Sequence, residues 1–184
     1  MSDISFEDRT VIVTGAGNGL GKAYAIELGN RGAKVVVNDL GGSVDGSGSG
    51  STPADEVVNE IIANGGEAVA NYDSVATKDG GEAIVQTALD SFGTVDAVIN
   101  NAGILRDKSF AKMTEEELSL IIDVHLKGTF FVSQPAFTVM KEKNYGRIVN
   151  VASPSGLFGN FGQSNYGAAK MGIVGLTNVL AIEG

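Results

Sequence analysis

Ser153, Tyr166 and Lys170 are the side chains of this sequence best suited to moving a proton. Tyr166 and Lys170 are spaced i and i+4 in a stretch of helical periodicity, so they share one face of that helix. A free tyrosine keeps its proton up to about pH 10. A neighbouring ammonium favours the phenolate, which can then take a proton from a bound alcohol. Ser153 can donate to, or accept from, the same oxygen. A Tyr-x-x-x-Lys pair alone is common on solvated helix faces. Here it follows a serine and an aromatic, Gly-rich loop.

A second group of residues suits phosphate. Residues 14–21 read Thr-Gly-Ala-Gly-Asn-Gly-Leu-Gly and join an apolar, β-branched run to a helical one. Glycines there let the backbone turn tightly and approach a diphosphate seated on a helix N-terminus. They fall at 15, 17, 19 and 21, which is not the usual G-x-G-x-x-G spacing. Asp39 closes the next apolar run and can accept hydrogen bonds from adenosine ribose hydroxyls. It would repel a 2′-phosphate, so NAD is expected rather than NADP. Asp73, after the third such run, stands where an adenine edge could lie.

The elements that must hold these residues follow from periodicity. Apolar runs at 10–14, 33–38, 67–71, 95–99 and 147–151 read as strands. Helical spacing covers 19–31, 53–63, 77–92, 114–141 and 164–182. Thr114 and Glu117 give the long fourth helix a capping box, and Pro135 should disturb its interior. Residues 41–52, rich in Gly and Ser, read as a flexible surface loop. Continuous apolar strands alternating with helices predict an α/β fold with a doubly wound parallel sheet, as one domain over residues 1–184.

Composition narrows the partners. With 13 Lys and Arg against 22 Asp and Glu, the net charge is −9 and no basic patch suits nucleic acid. There is no Cys, which excludes disulfides and thiolate chemistry, and no metal is expected. No run of about 18 apolar residues spans a membrane, and residues 1–9 lack a signal-peptide core.

Thr14 to Gly21, Asn100-Asn101-Ala102-Gly103, Ser153 and Tyr166-x-x-x-Lys170 together resemble the short-chain dehydrogenase/reductase family in order and spacing. The resemblance implies a Rossmann-like fold, NAD as cofactor, and Ser153, Tyr166 and Lys170 as the catalytic set. It implies cofactor contacts from Gly15, Asn18, Gly19, Leu20, Gly21, Asp39, Asp73, Ser74, Asn101, Ala102, Gly103, Tyr166 and Lys170. The family usually carries an Asn in the proton relay on the long helix; His125 stands there, and imidazole can also donate and accept. The family also implies a homodimer through helices 114–141 and 164–182.

Asn38-Asp-Leu-Gly-Gly42, residues 101–110, Val124-His-Leu-Lys-Gly128 and residues 159–166 are similar to the dehydrogenase region of peroxisomal multifunctional enzymes. That implies oxidation of a (3R)-3-hydroxyacyl-CoA in fatty acid β-oxidation, and a peroxisomal location. Family members continue with two further strands and a substrate-covering loop, so the chain is expected to be C-terminally incomplete. The alternatives are a 3-ketoacyl reductase, a steroid dehydrogenase, or a non-catalytic NAD-binding or dimerisation fragment.

Overall fold

Val, Ile and Ala dominate the strands, and their flat, branched side chains pack on both faces of one sheet. The computed structural model describes residues 4–43, 45–48 and 50–184. The strands are β1 (Thr10–Thr14), β2 (Lys34–Asn38), β3 (Glu67–Asn71), β4 (Ala97–Asn100) and β5 (Arg147–Asn150). They form a single parallel sheet in the order β3-β2-β1-β4-β5. The switch in direction on either side of β1 opens a crevice at the C-terminal strand ends, where ligands of such sheets bind.

Helices α1 (Gly19–Asn30) and α2 (Thr52–Ala63) cover one face, over a core of Val11, Val13, Val35, Val37, Val57 and Ile61. On the other face lie α3 (Lys78–Phe92) and the chain from 115 to 142, over Ile12, Val36, Ile84, Val98 and Val132. Alternate residues of β1 and β2 therefore serve opposite cores, as the pleat requires. At the N-terminal strand ends, buried Asp96 accepts from the Thr10 N–H at 2.8 Å and from Lys143 Nζ at 2.6 Å, tying β1 and the end of the 115–142 segment to the start of β4. Among the described residues no helix is long and apolar enough to cross a membrane.

The fourth helix departs from expectation. Its capping box is present: Thr114 Oγ1 accepts from Glu117 N–H, and Glu117 returns the bond to Thr114 N–H. Instead of one helix there follow α4 (Glu115–Ile121), a π-helical turn at Ile122–Lys127, and α5 (Gly128–Glu142). The Gly128 N–H reaches back to the Asp123 carbonyl, five residues earlier. Thr129 Oγ1 donates to the His125 carbonyl at 2.7 Å. Pro135 lies inside α5 without ending it. The Phe131 carbonyl, which Pro135 cannot bond, abuts Gly81 of α3, where a Cβ would come within 2.5 Å of it.

Two further elements were not expected: a 3₁₀ turn at Phe110–Lys112 and the short α6 (Pro154–Phe158) before α7 (Ser164–Glu183). The described residues between Gly41 and Gly50 also fold more tightly than a free loop. Gly50 N–H bonds the Leu40 carbonyl, and Ser43 and Ser47 hydroxyls converge on Asp45. Gly46 sits so close to Ile104 that a Cβ would approach its side chain to 2.8 Å. Val44 and Ser49 lie outside the described residues.

Candidate active site

α7 begins at Ser164 and places Tyr166 and Lys170 one turn apart. Lys170 is buried, and its ammonium donates to the Val151 carbonyl at 2.6 Å. Its Nζ lies 5.6 Å from the centroid of the Tyr166 ring. Burial lowers Lys170 from the ordinary lysine value to about 8. Val151 leads into Ser153, whose Oγ caps α6 by accepting from Ser155 N–H at 3.2 Å. α6 packs against α7 through two glycines. A Cβ on Gly156 would come within 3.3 Å of the Gly167 carbonyl, and one on Gly167 within 3.0 Å of the Ser155 carbonyl. The serine-bearing turn is therefore held against the turn that carries Tyr166.

His125 projects from the π-helical turn and is buried. Its ring meets that of Tyr166 edge-on, with centroids 5.1 Å apart and planes at 88°. Nε2 lies 2.8 Å from the Ile104 carbonyl and 3.1 Å from the Ile104 nitrogen. The shorter contact fits a proton on Nε2, which leaves Nδ1 a buried lone pair without a protein partner. Burial first, then the charge of Lys170, lowers His125 to about 4, against the opposing hydrogen bond at Ile104. The imidazole is therefore neutral at pH 7. A π turn inserts one extra residue into a helix, and here it re-aims His125 toward Tyr166.

The glycine loop is built to the same standard. Gly15 has a left-handed φ of 62°, and a Cβ there would lie 2.7 Å from Ala102 Cα. On Gly21 a Cβ would lie 2.1 Å from the Gly15 carbonyl oxygen, a contact no side chain survives. Asn101 Nδ2 bridges the Thr14 and Gly15 carbonyls at 3.1 and 3.0 Å, while Thr14 Oγ1 accepts from the Asn101 and Ala102 N–H groups. Gly103 abuts the His125 ring, so a Cβ would lie 2.5 Å from it. One segment after β4 thus supports both the glycine loop and the histidine.

These residues suit a dinucleotide. Asn18 gives α1 no side-chain cap, and the first turn carries no acidic residue. The first N–H groups of α1 are left to an anion. Gly19, with φ at 56°, faces open space, and Leu20 beside it is exposed. Asp39 sits at the end of β2, where its two oxygens accept from Gly17 and Gly41 N–H at 2.7 Å each. Asp39 therefore shapes the glycine loop, with lone pairs left for ribose hydroxyls. Asp73 is more committed than expected. Its carboxylate accepts from Asn71 Nδ2 at 2.7 Å, and its carbonyl from Asn38 Nδ2 at 2.9 Å. Ser74 Oγ accepts from Ala76 N–H in a local turn.

Sequence reasoning passed over the polar contacts that join the post-β4 loop to α7. Gln163 Nε2 donates to Asp107 at 2.9 Å, and Lys108 N–H to the Gly162 carbonyl at 2.8 Å. Asn165, next to the tyrosine, is buried and fully bonded. Its only sequence signal was an amide beside a site residue.

A doubly wound sheet with an uncapped first helix and a Tyr–Lys helix across the crevice defines a dinucleotide-binding α/β protein. The model of the short chain dehydrogenase family matches residues 9–184, and this chain belongs to that family. The chain is similar to the peroxisomal hydratase-dehydrogenase-epimerase of Saccharomyces cerevisiae, at 60% identity over 99% of this chain and 20% of that protein. It is similar to the structure of full-length peroxisomal multifunctional enzyme type 2 from Drosophila melanogaster, at 48% identity and a TM-score of 0.81. That match covers 98% of this chain and 29% of the other. A short chain dehydrogenase from Mycobacterium avium superposes with a TM-score of 0.89 at 47% identity, over 96% of this chain and 63% of that one.

Proposed function

We propose that this chain, read as a single domain over residues 1–184, oxidises the 3-hydroxyl of a (3R)-3-hydroxyacyl-CoA with NAD, as a step of peroxisomal fatty acid β-oxidation. The observation that carries the reading is the buried ammonium of Lys170 held 5.6 Å from the Tyr166 ring, with neutral His125 edge-on to the same ring. Gly15, Asn18, Gly19, Leu20 and Gly21 would hold the diphosphate, and Asp39 the adenosine ribose. Asp73, Ser74, Asn101, Ala102 and Gly103 would line the remainder. When bound, the nicotinamide supplies the acceptor for the substrate's hydride.

The chain's own part is proton handling. Tyr166 Oη takes the proton of the substrate hydroxyl. Ser153 Oγ holds the same oxygen in place. Lys170, fixed by the Val151 carbonyl, keeps a positive charge beside the Tyr166 ring. His125 Nδ1 offers an acceptor inside the protein for onward transfer. Exposed Phe110, Phe158 and Phe161, on loops joined by the Lys108–Gly162 hydrogen bond, suit an apolar acyl group. The names of the relatives, which carry the words peroxisomal and dehydrogenase, support the dehydrogenase activity and the peroxisomal location. α5 and α7 are the surfaces on which a homodimer would form.

The test is NADH formation from (3R)-3-hydroxyacyl-CoA thioesters, run against the 3S epimers, a hydroxysteroid and NADP. Turnover is expected with the 3R thioester and NAD. Tyr166→Phe is expected to lower kcat by roughly a hundredfold or more. A loss under tenfold would remove Tyr166 as base. A preference for NADP would overturn the role of Asp39, and a preference for the steroid would overturn the substrate class.

A further inference from the structure

We propose that Asn165 is a positioning residue for Tyr166, and that it fixes the tyrosine ring against His125 by tying the start of α7 to the segment that holds the histidine. The inference rests on the reading of Tyr166 as the proton acceptor.

Asn165 is 1% exposed, so each of its polar atoms must be bonded within the protein. All are. Nδ2 donates to the Arg106 carbonyl at 3.1 Å and to the Glu117 carbonyl at 3.0 Å, which uses both amide hydrogens. Oδ1 accepts from the Tyr166 N–H at 2.7 Å. That N–H belongs to the first turn of α7, whose donors have no intrahelical partner. Gln163, the residue before α7, places no side-chain cap on it. The amide of Asn165 thus ends the catalytic helix and anchors it to two separate elements, the post-β4 loop and α4.

The placement of those two anchors matters. Arg106 is two residues from Ile104, whose backbone holds His125 Nε2. Glu117 lies in α4, which runs directly into the π-helical turn bearing His125. Asn165 and His125 therefore both bond the short segment 104–106, and α4 joins the second anchor of Asn165 to the turn that bears His125. The edge-on contact of His125 with Tyr166 at 5.1 Å is the product of this arrangement. No other side-chain type supplies two donors and one acceptor at this reach. Aspartate would face two carbonyls with no proton, leucine would leave both carbonyls unpaired, and glutamine is one methylene too long.

The test uses the whole chain with Asn165→Ala and Asn165→Ser, each alone and combined with Tyr166→Phe. Serine keeps one donor and serves if alanine compromises folding. kcat is expected to fall in the order Asn, Ser, Ala, with alanine down about ten- to hundredfold from misplacement alone. The Kd for NAD, measured calorimetrically, is expected to change far less than kcat, because the glycine loop and Asp39 are untouched and only the Tyr166 helix is disturbed. In the Tyr166→Phe background the same changes are expected to cost almost nothing further, since coupled groups lose their contribution once. His125 is the only histidine, so its Cε1 proton gives one unambiguous NMR signal, shifted by the Tyr166 ring. That signal is expected to move in both Asn165 variants, and this readout needs no turnover.

Unchanged kcat and an unmoved histidine signal would overturn the proposal. So would losses that multiply with Tyr166→Phe, or an NAD affinity that falls in step with kcat. An unsubstituted chain that oxidises no alcohol would sink the functional reading instead, and the histidine signal would still decide the role of Asn165.

Discussion

His125 sits in a pocket that costs the protein stability in acid. Its value is lowered to about 4 by burial and by the charge of Lys170. In the unfolded chain a histidine takes up a proton near pH 6.5. Between those two values the unfolded state binds more protons, so stability falls as the pH falls. The loss accumulates to about 3 kcal/mol across that window at 1.36 kcal/mol per unit. His125→Asn, which keeps a donor and an acceptor of similar reach, is expected to flatten the dependence of the urea midpoint on pH between 6.5 and 4. A variant whose midpoint declines as steeply as the parent's would show that other groups carry the acid limb. That Tyr166 and Lys170 share a helix face was legible from their i and i+4 spacing. The protonation of His125 was not, since it depends on burial among elements far apart in sequence.

At the scale of elements, the strands were readable because a parallel sheet covered on both faces is apolar throughout and leaves continuous runs. The ends of β4 were misjudged: 95–99 was expected and Ala97–Asn100 is observed. Val95 and Asp96 are apolar or buried for another reason, the core and the ion pair with Lys143. The π-helical turn was invisible because Ile-Asp-Val-His-Leu-Lys contains nothing that breaks a helix. Its contacts reach beyond the local chain: Ile104 bonds the His125 ring and Tyr166 meets it edge-on, while Thr129 bonds the His125 carbonyl from the next turn. Pro135 misled for the converse reason. The Phe131 carbonyl, which Pro135 leaves without its helical donor, lies against Gly81 of α3. Gly81→Ala is therefore expected to be harmful although alanine is the better helix former. A Cβ 2.5 Å from backbone atoms on α5 cannot be relieved by a rotamer, so the two helices must separate. Overpacking of this kind costs about 1–3 kcal/mol, which differential scanning calorimetry would read as a lower Tm. A Tm equal to or above the parent's would mean that α3 and α5 are not in close contact there.

For the molecule as a whole, α5 and α7 run side by side in the same direction. His125 meets Tyr166 at one end, and Lys141 Nζ reaches the Glu183 carbonyl at the other. Their inner sides cover β4 and β5. Their outer sides leave Phe130, Met171, Val179 and Ile182 exposed, the last at 87%. Scattered apolar residues on a surface are ordinary, and these four are the ones the proposed homodimer would cover. The net charge of −9 opposes self-association at long range, so a dimer should depend on salt as well as on apolar area. Sedimentation at neutral pH and physiological ionic strength is expected to show a dimer that weakens as salt is lowered. Val179→Asp with Ile182→Asp adds two charges per chain to this surface without touching Tyr166 or Lys170, and is expected to give a monomer with an unchanged circular dichroism spectrum. A dimer that persists in that double variant would move the interface elsewhere, with the edge of β5 the next place to look. There Val149 is half exposed and the backbone has no partner strand among the described residues.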